Sequence, residues 1–247
     1  MSELKIDNPA QRLLDILEEG QRRSASANCR VVWTEVLGAR GQNEQILITR
    51  LAKVMELPAR ISQVLVDHFP NTRWKSTHWK TQVESAFISQ ELNGLWQKFK
   101  GNIDAMTLSE LGLLSEMFET RGAHAGINTE DIGGLLERIA ELRGEIRVAD
   151  MPATMKTQLL KQLAQIQDAL ESYSISGIEP VMDAVQSTLG LAVIDPDYKE
   201  EIKSGSGSQF GDRISALLGD VANVVTVAGA LPALPAAIQT ALGLLSK

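Results

Sequence analysis

DIGGLLERIAELRGEIRVADMPATMKTQLLKQLAQIQDALESY, residues 131–173, carries two consecutive apolar series: Ile132, Leu135, Ile139, Leu142 and Ile146, then Leu159, Leu163, Ile166, Leu170 and Tyr173. The steps alternate between three and four residues, which keeps an apolar seam on one side of a helix. Only Arg147 to Pro152 separates the two series, room for a tight reversal and little else. The stretch therefore predicts an antiparallel helical hairpin, and with it an all-α multi-helix bundle.

The segments before the hairpin read the same way. Asn8-Pro9 is a helix start, because asparagine caps free amides and proline suits the first turn. Val31 to Leu37 reads as a short helix ending at Gly38. From Glu44 a helix bearing Leu47, Leu51 and Val54 runs to Pro58, which is expected to interrupt it and start a second helix with Ile61, Val64, Leu65 and Phe69. Val83, Phe87, Leu92, Leu95, Trp96 and Phe99 predict one long helix closed by Gly101. Thr107 and Glu110 have the spacing of a capping box, with Gly122 as the stop of the helix they begin.

After the hairpin, Gly177 breaks the chain and Glu179-Pro180 restarts it, with Val181, Val185 and Leu189 on one face. Leu159-Leu160, Leu163, Tyr173, Ile175, Gly177, Glu179 and Ala184 follow the order Leu-Leu-x-x-Leu, Tyr-x-Ile-x-Gly-x-Glu, Ala-rich helix, and Gly190-Leu191 stands, without the spacer, where the pattern closes in Gly-x-Leu. In this, residues 155–191 resemble a recurring tail of uncharacterised bacterial all-helical proteins. The resemblance implies a helical fold and no activity.

Ser204-Gly-Ser-Gly-Ser208 reads as a flexible connector. It divides the expected organisation into a helical bundle domain over 1–203, a Ser/Gly-rich linker over 204–209, and an apolar, Pro-interrupted helical tail over 210–247. In that tail Phe210, Ile214, Leu217, Leu218, Val221 and Val225 share one helical face, a candidate surface for a membrane or a partner. No charged residue occurs from Val221 to Ser246, a length that could cross a bilayer core. Pro232 and Pro235 divide the run, however, and cationic residues are nearly missing from its polar side, against the pattern of a surface-bound helix.

The net charge of −7 disfavours non-specific nucleic-acid coating, which needs a basic surface. One cysteine, Cys29, allows no internal disulfide and suits a reducing cytoplasm. With no cationic, apolar leader at the N-terminus, the expected location is cytoplasmic, extending to the inner face of the membrane if the tail engages lipid. No nucleotide-binding, hydrolase or metalloprotease motif occurs, and His68, His78 and His124 lack shared metal-ligand spacing. The chain is expected to be no enzyme and to take no cofactor, metal or small-molecule substrate. One local cluster stands out: Arg73, Trp74, Lys75, His78, Trp79 and Lys80 interleave cations with indoles, a pattern that can hold an anionic partner or stack bases. Three functions follow in order: a helical interaction or assembly protein acting on itself or another protein, a membrane-active effector inserting 210–245, and anionic-ligand or nucleic-acid binding through the Trp/Lys cluster.

Overall fold

The computed structural model describes residues 7–70, 76–120, 127–204 and 207–227, less a few side chains near the end of that range. Among them are twelve helices and no strand, so the chain is an all-α multi-helix bundle. It divides into two compact units, Ile6–Ala123 and His124–Lys247, each with its own core.

In the N-terminal unit α1 (Pro9–Arg22) opens as its sequence predicts, with Asn8 Oδ1 accepting from the Gln11 amide at 3.0 Å. It packs on α6 (Ala105–Glu119) and on α3 (Glu44–His68), with α2 (Cys29–Val36), α4 (His78–Ser89) and the single turn α5 (Gln97–Lys100) completing the body. Trp33 is the centre of this core. Its ring lies 5.0 Å from Trp96 and 4.9 Å from Phe99, both edge-on, and stacks on Phe87 at 6.2 Å. Gly20 makes the approach of α1 possible: a Cβ there would stand 2.9 Å from the Trp96 ring, whose Nε1 donates to the Gly20 carbonyl.

Three local expectations are corrected. Pro58 lies inside one continuous helix of 25 residues rather than between two. A proline within a helix costs about 3 kcal/mol, but Leu47, Leu51, Val54, Leu57 and Ile61 stay in register across it and are all buried. Burying each contributes roughly 1.5 to 3 kcal/mol before entropy, so packing outweighs the interruption.

The helix expected over Val83 to Phe99 stops at Ser89, where Gln90 turns extended. The next residues pair their carbonyls with the first residues of α2: Leu92 accepts from the Arg30 amide and Gly94 from the Cys29 amide, both at 2.9 Å. That non-local pairing replaces helical bonds. Third, α6 starts before Thr107, with Asp104 as its cap at 2.7 Å from the Thr107 amide. Glu110 does satisfy a helix N-terminus, but it is that of α4, accepting from the Trp79 amide at 3.0 Å and from Ser76 Oγ.

The C-terminal unit is built on the predicted hairpin, α7 (Thr129–Val148) against α8 (Ala153–Glu171). Leu135, Ile139, Leu142 and Ile146 meet Leu159, Leu163, Ile166 and Leu170 in one buried cluster. A turn, α9 (Tyr173–Ser176), ends at Gly177, whose φ of +77° only glycine adopts without strain. There follow α10 (Glu179–Ile194), α11 (Pro196–Ser204) and α12 (Ser208–Val227). The division between the two units falls at 123/124. Within the C-terminal unit α12 packs on α7, α10 and α11 and closes the same core. Gly122, His124 and the terminal segment 228–247 lie outside the described residues.

Candidate interaction surface on the third helix

α3 presents two apolar faces. The inner one is the buried row from Leu47 to Ile61 described above. On the outer side Ile48, Met55 and Val66 stand 43%, 47% and 68% exposed, with Ala52 and Ala59 exposed between them. The numbers 48, 52, 55, 59 and 66 step by four, three, four and seven, which is the spacing of a heptad seam. Single exposed apolar residues are ordinary on a surface; here they recur along one side of one helix, with the half-buried Ser62 at the seam position between Ala59 and Val66. Gln45, Glu56, Gln63 and Asp67 border the stripe on one side, and Gln63 Nε2 donates to the Asp67 carboxylate. The face thus has an apolar row from Ile48 to Ala59, a polar position at Ser62 and a polar margin. No local signal pointed to it as long as Pro58 was read as a break, because the seam runs across that proline.

The Trp/Lys cluster is only partly within the described residues, since Arg73, Trp74 and Lys75 lie outside them. Trp79 is 2% exposed, so its indole belongs to the core and offers no stacking face. His78 Nε2 lies 3.0 Å from Asp104 Oδ2, and Lys80 Nζ donates to Ser62 Oγ at 3.2 Å with Glu84 at 3.9 Å. The described members of the cluster are therefore engaged with their own unit. The Thr107 amide, and then its hydroxyl, hold the Asp104 carboxyl below the usual carboxylate range. Burial pushes the Cys29 thiol up to about 11.

Phe210, Ile214, Leu217, Leu218 and Val221 all face inward and belong to the buried cluster of the hairpin; the Val225 side chain lies outside the described residues. Two ion pairs, Arg138 with Asp220 and Arg213 with Glu145, lie along the seam between α7 and α12. They are half exposed and worth at most about 1 kcal/mol each, so apolar burial is what holds α12. Among the described residues no helix is long and apolar enough to cross a membrane, and no group of three His, Cys, Asp or Glu could hold a metal ion.

No protein-family model, no curated protein and no solved structure matches the chain.

Proposed function

We propose that this chain is a non-enzymatic helical interaction module that assembles with a second copy of itself through the outer face of α3. The observation that carries the reading is the stripe of Ile48, Ala52, Met55, Ala59 and Val66. Four of its five residues are symmetric about Leu57: Ile48 and Val66 are each nine residues away, Met55 and Ala59 each two, while Ala52 has Ser62 at its mirror position. A two-fold contact pairs a surface patch with itself, so an antiparallel α3 pair would set Ile48 against Val66 and the long Met55 against the small Ala59. Large-against-small pairing of this kind fills space without overpacking.

Sedimentation velocity of the full chain across the micromolar range tests this. The expected result is a concentration-dependent shift from monomer to dimer that Met55→Glu weakens by tenfold or more, because the carboxylate would be desolvated in the contact, at a cost of about 1.4 kcal/mol per tenfold. Met55 is exposed in the single chain, so helicity and melting temperature should be unchanged in the variant. A chain that stays monomeric throughout, or a dimer indifferent to Met55→Glu, would remove the proposal.

A further inference from the structure

The formal charge of the chain is unevenly divided. Residues 6–123 carry 14 acidic and 14 basic side chains, whereas residues 124–247 carry 16 acidic and nine basic, so the whole net charge of −7 lies in the C-terminal unit. At one end of that unit, where the turn from α7 to α8 meets the junction of α10 and α11, there is a cavity of about 280 Å³. Its apolar lining is Pro152, Met155 and the buried Tyr198; its polar lining includes Gln158, Asp195 and Asp197. The two carboxylates differ. Asp195 is occupied in holding the fold, accepting from the Tyr198 amide at 3.0 Å and from Gln158 Nε2 at 3.5 Å. Asp197 has no partner among the described residues. The Tyr198 hydroxyl is also buried without a hydrogen-bond partner. Lys156, on α8, donates to the Arg147 carbonyl at 3.2 Å.

Two further residues at this end have no cover: Val148, which ends α7, is 86% exposed, and Ile194, which ends α10, is 81% exposed. The cavity is several times the roughly 30 Å³ that a water molecule occupies and falls just short of the ~300 Å³ at which whole-ligand pockets begin. It is wide enough to admit a long side chain.

We propose that this cavity receives a lysine or arginine side chain of a partner protein, whose neighbouring apolar residues lie on Val148 and Ile194. The methylene stem would run along Met155 and Pro152, and the cationic head would pair with Asp197, beside Asp195. Long cationic side chains combine an apolar stem with a charged tip and suit a site of this mixed character. The net negative charge of the unit would draw such a partner in before contact. This surface is separate from the α3 stripe and does not depend on it.

The test is titration of the full chain, labelled with ¹³C at its methionine methyl groups, with the peptide acetyl-Leu-Arg-Leu-amide. Acetyl-Leu-Gln-Leu-amide and free arginine methyl ester are the comparison arms, and Met155→Leu assigns the Met155 signal. The expected result is a saturable shift of the Met155 methyl with the arginine peptide, and a much weaker one with the glutamine peptide or the free ester. Asp197→Asn should weaken binding about tenfold, and Ile194→Ser should also weaken it, both at unchanged helicity. A Met155 signal that does not move, or an equal response to the arginine and glutamine peptides, overturns the proposal. So does binding unaffected by Asp197→Asn. Equal affinity for the free ester would overturn the assignment to a protein partner. Because Met55→Glu leaves this cavity untouched, loss of dimerisation and loss of peptide binding are separately readable.

Discussion

Leu163→Asp is expected to unfold the C-terminal unit while leaving the N-terminal unit native. Leu163 is buried at the centre of the cluster that joins α7, α8, α10 and α12. Its replacement loses the apolar transfer energy and leaves a cavity, which for Leu→Ala alone costs about 2 to 5 kcal/mol. The carboxylate adds the cost of a buried charge with no cation set to meet it, so the total should exceed about 4 kcal/mol. Domains of this size are stable by only about 5 to 15 kcal/mol. The measurement has a built-in separation: all four tryptophans lie in Ile6–Ala123, and both tyrosines lie in His124–Lys247. Far-ultraviolet circular dichroism should show a large loss of helix while tryptophan emission keeps its native wavelength. Wild-type helicity and melting in the variant would mean that the hairpin is not the core of its unit.

The second large effect is expected at Glu110. Its carboxylate is buried and takes hydrogen bonds from Ser76 Oγ and the Trp79 amide, thereby closing the N-terminus of α4, whose own cap residue Thr77 makes no side-chain cap bond. Charge-assisted bonds of this kind are worth about 1.5 to 3 kcal/mol each. Glu110→Ala would remove both and leave a buried amide unsatisfied. We expect the N-terminal transition, followed by tryptophan fluorescence in urea, to lose about 3 kcal/mol or more, with Glu110→Gln losing less because it keeps an acceptor. An unchanged urea midpoint for Glu110→Ala would show that α4 needs no support from α6.

What was readable in the sequence was periodic and local. The hairpin followed from the 3-and-4 spacing of Leu135 to Leu170 around Met151-Pro152, and the turn at Gly177 from the one residue suited to a positive φ. What escaped was decided by partners far along the chain. Leu92 and Leu95 extend the α4 pattern on paper, yet their segment pairs with residues 27–30 instead. Pro58 looks like a break until the buried rows on both sides of it are seen to share one wall. Glu110 has the right spacing to cap its own helix and caps another. Apolar periodicity shows that a helix has a face to cover, but not what covers it. The stripe from Phe210 to Val221 therefore suited a detachable tail as well as a core element, and it is buried in the core. The same ambiguity hid the α3 seam, where a helix with two apolar faces needs its inner partner known before the outer one stands out.

Each half of this chain has a core of its own, so Ile6–Ala123 should fold when expressed alone. The expected product is a helical fragment whose tryptophans emit as buried indoles and shift to longer wavelength in one cooperative thermal transition. A fragment with solvent-exposed tryptophan emission and no cooperative transition would contradict it.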